Sequence, residues 1–228
     1  MLFVVSYNTR GLQNIEHPLT LLDNPPEKKQ FKKLLKLKVV GFWQEHLSAE
    51  CSSPDLRSTR FLNPFKCSLL RPHPIWQYSS KSAYETNKAT VLAKMLSGRY
   101  RTEALCRIWS SNTEGYCEAE TCSNVLGDIV HLLAVCPALD SDRQRVFELW
   151  ASKSIYLPEL FHLLLRMMQA EPEILTQFIL NADSDPEIIN LVQLHGEKVL
   201  DHLLYLTRTM AYHLHKKKMM LSGKWSPN

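Results

Sequence analysis

Long apolar runs and glycine are both scarce in this chain of 228 residues. No stretch approaches the roughly eighteen consecutive apolar residues of a membrane-spanning helix. The first residues lack the basic leader of a secretion signal. Glycine occurs only 7 times, whereas 45% of the residues are hydrophobic, which favours helices around a sizeable core. We therefore expect an intracellular protein of the nucleus or cytoplasm, with reduced thiols and no membrane partner.

The common catalytic and nucleotide-binding motifs are also missing. The sequence contains neither a P-loop nor the glycine-rich loop of dinucleotide-binding proteins, and it has no G-x-S-x-G. No pair of adjacent aspartates is available for the two metal ions of a polymerase. Asp183 and Asp185 resemble a metal-binding pair, but Asp185 before Pro186 is more simply a helix N-cap. These absences predict a protein that is not an enzyme and has no small-molecule substrate.

Neither sign of charge dominates, because the net charge is only +4. Six lysines between Lys28 and Lys38 lie opposite apolar residues in a predicted helix from Glu27 to Glu50. Such a face can follow a phosphate backbone, although a lysine run is more often a solvated helix face. The basic residues beside Gly98, together with Tyr100, fit either a phosphate and base contact or an exposed helix junction. The candidate RNA or DNA contacts are Lys28, Lys32, Lys36, Arg99, Arg101, Lys216, Lys217 and Lys218.

The chain does contain a cluster of cysteines. Three of its six cysteines lie between positions 116 and 137, with one histidine between the second and the third. The spacing C-x4-C-x8-H-x4-C supplies three thiolates and one imidazole, which is the ligand set of a closed, four-coordinate structural zinc site. We predict a structural Zn²⁺ in a zinc knuckle whose ligands are Cys117, Cys122, His131 and Cys136.

The spacing also predicts the local structure of this zinc knuckle. Cys117 and Cys122 can lie on a short reversing loop, and Asp128 is a possible N-cap of the helix that carries His131. In a regular α-helix, positions 131 and 136 point about 140° apart. We therefore expect Cys136 at the frayed C-terminal end of that helix, where a proline stops it.

Other interpretations of the cysteines remain open at this stage. Free cysteines are often small buried hydrophobic residues, so inert or disulfide-bonded cysteines are an alternative to a metal site. A thiol hydrolase would need an activated thiolate, a base and a third orienting group, and no such group is identifiable. Cys51, Cys67 and Cys106 have no neighbouring ligands, and we interpret them as structural.

The predicted fold class is all-α, a helical bundle-like array with the small Cys-Cys-His-Cys zinc knuckle as an insert. Residues 1–79 are predicted to form an N-terminal linker region with one basic amphipathic helix at about 27–50. Residues 80–228 are predicted to form a helical domain that contains the zinc knuckle at 116–137. Prolines between 51 and 79 place the boundary in this stretch.

Apolar periodicity locates the helices and their buried faces. Helices are predicted over 83–109 with a break at Gly98, after the helix-start signals near positions 140, 158, 172 and 186, and from about His195 to Lys218. The residues predicted to face the core are Phe31, Leu34, Leu35, Val39, Phe42, Trp43, Leu47, Leu69, Leu70, Ile75, Trp76, Val91, Leu92, Met95, Leu96, Leu105, Ile108, Trp109, Leu132, Leu133, Val135, Leu139, Val146, Phe147, Leu149, Trp150, Leu160, Leu163, Leu164, Met167, Met168, Ile174, Leu175, Phe178, Ile179, Val199, Leu203, Leu206, Met210 and Leu214.

Several stretches of this sequence resemble those of one known protein family. L-S-G-R-Y-R-T-E-A-L at 96–105, W-S-S-N-T-E-G-Y-C at 109–117, T-C at 121–122 and D-I-V-H-L-L-A-V-C-P at 128–137 resemble the zinc-binding region C-terminal to the reverse transcriptase of non-LTR retrotransposons. That family's pattern is a cysteine pair, a spacer and then H-x4-C-P on a helix. Weaker similarity is found in N-P-P-E-K at 24–28, R-P-H-P-I-W at 71–76 and the segment 194–210.

The resemblance implies a set of ligands and a partner. The zinc ligands would be Cys117, Cys122, His131 and Cys136, and the partner would be element RNA or target DNA during target-primed reverse transcription. Such elements encode an endonuclease and a polymerase ahead of this region, and neither is present here. We therefore predict a truncated, non-catalytic accessory module that binds zinc and nucleic acid. The alternative is a helical protein-interaction or structural fragment in which zinc serves only folding.

Overall fold

The computed structural model describes residues 27–52, 59–62, 74–76, 79–110 and 114–223. These residues contain no β-strand, only an isolated bridge between Tyr116 and Leu126, so the predicted all-α fold is confirmed for them. Short 3-10 turns and one π-helical turn, His131–Val135, connect the α-helices. The α-helices are α1 (Lys28–Cys51), α2 (Ala83–Leu96), α3 (Glu103–Trp109), α4 (Asp140–Lys153), α5 (Pro158–Met168), α6 (Pro172–Asn181), α7 (Pro186–His195) and α8 (Glu197–Leu221).

Most helix boundaries follow local signals in the sequence. The side chains of Ser82, Thr102 and Asp185 accept hydrogen bonds from backbone N–H groups in the first turns of α2, α3 and α7. Asp185 is therefore an N-cap, as predicted. Gly98 (φ 68°) and Gly196 (φ 83°) have positive φ angles, which glycine adopts readily where a helix ends. The helical segment is interrupted at Gly98 after α2, as predicted. Helix α8 begins at Glu197, directly after Gly196, and not at the predicted His195.

Helix α8 lies at the centre of the core. It packs against α2, α4, α6 and α7, and the five residues predicted to face inward on it are all buried. Trp150 of α4 makes edge-to-face contacts with Phe147 and with Phe178 of α6. The same core includes Leu132 and Leu133 of the π turn, so it supports the segment that carries His131 and Cys136.

Some predicted core positions are wrong because they lie one step from a buried residue. Each residue along a helix turns by about 100°, so the neighbour of an inward side chain can face solvent. Leu149, Met168 and Ile174 are exposed next to buried Trp150, Met167 and Leu175. Helix α3 has only seven residues, and its last turn also faces solvent. Three other residues that were predicted to face the core are also exposed: Ile108, Trp109 and Val135.

Helix α1 leaves its apolar side chains largely uncovered. Phe31, Leu34, Leu35 and Val39 are between 38% and 47% exposed, so the prediction that they face a core is wrong for the described residues. In the described part of the chain, α1 contacts the short turn Thr59–Phe61. The apolar periodicity correctly predicts the helix and its apolar face, but it does not show whether another part of the protein covers that face. The side chain of Trp43 lies outside the described residues.

The described parts of the predicted linker lie against the core. Phe61 and Ile75 are buried, whereas Trp76 is exposed. Leu69 and Leu70, which were also predicted to face the core, lie outside the described residues. The carbonyl oxygen of Phe61 accepts a hydrogen bond from Asn181 Nδ2 at 2.9 Å, and that of Ile75 accepts one from Arg208 Nη1 at 2.9 Å. Packing of Ile75 is therefore confirmed, and the boundary near position 79 stays a prediction. No helix among the described residues is long and apolar enough to cross a membrane.

Candidate metal centre

Cys117 and Cys122 lie on a reversing loop. The isolated antiparallel bridge between Tyr116 and Leu126 closes this loop. Within it, Cys122 N donates a hydrogen bond to Ala119 O at 2.9 Å, which forms a tight turn. The predicted reversing loop is therefore confirmed, and it turns both cysteine side chains toward the same point.

Gly127 lets this loop approach α3 closely. Its N–H donates to Gly115 O at 2.9 Å, and its carbonyl oxygen accepts from Ala104 N at 3.2 Å. A Cβ atom at this position would lie 2.9 Å from Glu103 Cβ and 3.2 Å from Cys117 Cα. The second of these neighbours is a backbone atom of Cys117, which is itself a candidate ligand. A larger residue at position 127 would therefore displace the cysteine loop.

A π-helical turn brings His131 and Cys136 together. Asp128 Oδ1 accepts a hydrogen bond from His131 N at 2.8 Å, so the predicted N-cap is confirmed. Cys136 N donates to His131 O at 2.7 Å, which is the i to i−5 bond of a π turn. These two residues therefore lie one turn apart, whereas an α-helix would leave them about 140° apart. Cys136 does lie at the helix end before Pro137, but the π turn and not fraying aligns the two ligands.

The four candidate ligands converge on one point. Their ligand atoms all lie within 4.8 Å of one another. Cys136 Sγ is 3.9 Å from Cys117 Sγ and 3.6 Å from Cys122 Sγ. A disulfide requires about 2.0 Å, so these cysteines are not bonded to one another. Two sulfurs in a tetrahedral site with metal–sulfur bonds of about 2.3 Å lie about 3.8 Å apart, so the cluster could hold a metal ion.

Burial favours the neutral forms of Cys117, His131 and Cys136. Burial raises the pKa of Cys117 to about 12, and it raises the pKa of Cys136 in the same direction, reinforced by the hydrogen bond with Cys122. Burial also lowers the pKa of His131, so its imidazole is neutral and has a lone pair to donate. Neither ring nitrogen of His131 has a hydrogen-bond partner among the described residues, although both are buried. A metal ion bound to one of these nitrogens would satisfy it.

Arg143 is a buried cation beside the cluster that the sequence reasoning missed. Its Nη2 donates to Cys136 O at 2.7 Å. Burial lowers the pKa of Arg143, against the opposing effect of Asp140. A signal was present in the sequence, because Arg143 precedes buried Val146 and Phe147 by three and four positions. An arginine on the apolar face of a helix indicates a buried acceptor or a buried negative charge.

The lysines at the end of α8 are engaged within the fold. Lys218 Nζ lies 2.8 Å from Glu103 Oε1, and the side chain of Lys218 is largely buried. Lys217 Nζ lies 3.9 Å from Asp142 Oδ2, and Lys216 Nζ lies above the ring of Tyr212. Of these predicted nucleic-acid contacts, Lys217 and Lys218 therefore already have acidic partners.

The other candidate nucleic-acid residues lie on different elements. Lys28, Lys32 and Lys36 are exposed along α1, and Arg99 and Arg101 are exposed on the turn between α2 and α3. The tyrosine between these two arginines does not stack on a base, because it is buried and its hydroxyl group lies 2.9 Å from His215 Nδ1. Cys51 and Cys106 are half-buried free thiols, and Cys67 lies outside the described residues.

Comparisons with models of protein families, with curated proteins and with solved structures found no match. The fold and the site therefore define the class of protein on their own. The chain is an all-α protein with a cluster of three cysteines and one histidine that could hold a metal ion. The origin in a non-LTR retrotransposon stays a prediction from the resemblance.

Proposed function

We propose that Cys117, Cys122, His131 and Cys136 bind one zinc ion whose role is structural. The convergence of these four ligand atoms within 4.8 Å is the observation that supports this proposal. Three thiolates and one imidazole suit zinc better than a hard cation, which prefers oxygen ligands. Four protein ligands fill a tetrahedral shell, so no position is left for water or substrate. The site is therefore non-catalytic, and the chain acts as a binding module.

The zinc content of the purified, reduced chain tests the site. We expect one zinc ion per wild-type chain and none in Cys122→Ser or His131→Ala, because each variant removes one of four ligands. Cys51→Ser is the matched control, since Cys51 lies on α1 outside the cluster, and it should retain zinc. Metal analysis of each folded variant gives the result directly. A zinc-free wild-type chain would show that the cysteines are only buried hydrophobic residues.

We further propose that the zinc-stabilised module binds RNA or DNA as a non-catalytic accessory to reverse transcription. The resemblance to the zinc-binding region of non-LTR retrotransposons supports this proposal. Two exposed basic groups are available for phosphate contacts: the lysine face of α1, Lys28, Lys32 and Lys36, and the arginine pair Arg99 and Arg101. The lysines recur every four residues, so they lie along one face of the helix.

The salt dependence of binding tests the nucleic-acid role. We expect the affinity for a short RNA hairpin and for a DNA duplex to fall with salt, because each phosphate contact releases counterions. Replacing Lys28, Lys32 and Lys36 together by alanine should flatten the slope of log K against log salt by about 2 to 3. Lys198→Ala, an exposed lysine of α8, is the matched control. Fluorescence anisotropy at several salt concentrations measures both slopes.

The alternative function is a helical protein-interaction or structural fragment. The exposed apolar side chains Phe31, Leu34 and Leu35 on α1 favour it, and so do the ion pairs that engage Lys217 and Lys218. It predicts normal zinc content together with no salt-dependent affinity for either nucleic acid. That combination of results would therefore favour the alternative function over the nucleic-acid role.

A further inference from the structure

The proposed zinc centre carries a charge that the fold must accommodate. One Zn²⁺, three thiolates and one neutral imidazole sum to a net charge of −1. Cys122, His131 and Cys136 are only 4%, 5% and 3% exposed, so this charge lies in a region with little water. An uncompensated buried charge is strongly unfavourable, and a nearby cation is therefore expected.

Arg143 is positioned to be that cation. It is 5% exposed, and its hydrogen bond to the backbone carbonyl of Cys136 is itself buried. Its second terminal nitrogen, Nη1, is a buried donor with no partner in the part of the chain that the structure describes. Its ion-pair partner Asp140 lies 3.4 Å away with a side chain that is 75% exposed, so water screens that pair.

The other charged groups around the centre do not replace Arg143. Lys218 is paired with Glu103 at 2.8 Å, so these two charges offset each other. Asp128 adds a further negative charge, and its Oδ1 caps the start of the π turn at His131. Arg143 is thus the buried guanidinium whose positive charge is not fully offset by a close, buried carboxylate.

We propose that Arg143 compensates the negative charge of the zinc–thiolate centre and holds Cys136 in its ligating position. This inference rests on the zinc site proposed above. Arginine suits this role because its rigid, planar group can donate to the Cys136 carbonyl and still present N–H groups in another direction. Arg143 is therefore a positioning residue of the metal centre and not a ligand.

The zinc affinity of Arg143 variants tests the inference. Arg143→Gln keeps a donor but loses the charge, whereas Arg143→Lys keeps the charge. By competition with a chelator, we expect Arg143→Gln to raise the zinc Kd by about 10- to 100-fold and Arg143→Lys to raise it less. Arg145→Gln, an exposed arginine on the same helix, is the control and should leave the Kd unchanged.

Stability in urea separates this role from a merely structural one. A structural role would destabilise the metal-free and zinc-loaded proteins equally and leave the zinc Kd unchanged, which would overturn the inference. If Arg143→Gln does not fold, the Kd of Arg143→Lys decides: a value within about threefold of wild type supports charge compensation, and a loss of about 100-fold overturns it. A wild-type chain without zinc would instead overturn the metal site itself.

Discussion

Removal of the proposed zinc ion by a chelator is expected to unfold the loop from Tyr116 to Leu126 while the helices of the core persist. Structural zinc in small sites contributes about 10–16 kcal/mol of apparent binding free energy, far more than a single cap or surface ion pair. Without the ion, the loop is held mainly by the isolated bridge and a few backbone hydrogen bonds. The π turn should respond less, because Leu132 and Leu133 remain packed in the core.

Hydrogen exchange measured by mass spectrometry checks whether the loop unfolds while the helices persist. In wild-type protein treated with a chelator, and in His131→Ala, we expect peptides covering 116–127 to lose protection. Peptides from α5 to α8 should exchange as they do in the untreated protein. Cys51→Ser should behave like wild type before and after chelation. Unchanged protection of the loop would show that zinc does not hold it, and loss of protection throughout would show that zinc supports the whole fold.

The residues of the candidate metal centre could be predicted from sequence because their signal is local. Cys117, Cys122, His131 and Cys136 lie within twenty residues, so their type and spacing restrict the chemistry before any fold is known. The π turn could not be predicted in the same way. A π turn is rare, and it depends on how the segment packs as well as on its own residues. The sequence spacing therefore correctly predicted Cys136 at the end of the helix, but it did not predict the π turn that aligns Cys136 with His131.

The fold shows the same division between local and long-range information. Periodicity identified the buried face of α8, where five inward positions are all buried. It did not predict that α1 exposes its apolar side chains, since periodicity shows which face is apolar and not what covers it. Nor could it predict the pairing of Lys218 with Glu103, which joins residues 115 positions apart. Such contacts depend on the tertiary arrangement of the helices.

Replacing Glu85 by alanine is expected to destabilise the core by about 3–5 kcal/mol, because it removes the carboxylate that lies beside two buried cations. Glu85 Oε1 lies 2.7 Å from Lys88 Nζ, and its Oε2 lies 3.6 Å from Arg208 Nη2. The side chains of these cations are only 1% and 2% exposed. The rings of Tyr84 and Tyr205 face the ammonium group of Lys88, but they cannot replace a full negative charge. The substitution would therefore leave two positive charges in the contact between α2 and α8.

Unfolding in urea, followed by circular dichroism, measures this effect. Glu187→Ala is the matched control, because it breaks an exposed ion pair with Arg166 and should cost less than about 1 kcal/mol. Adding Lys88→Met to the Glu85→Ala variant should recover part of the lost stability, since it removes the buried ammonium group that lies closest to the Glu85 carboxylate. A cost for Glu85→Ala no greater than that of the control would contradict the prediction. The α2–α8 contact would then depend on its apolar side chains alone, and the buried cations would tolerate the loss of their carboxylate.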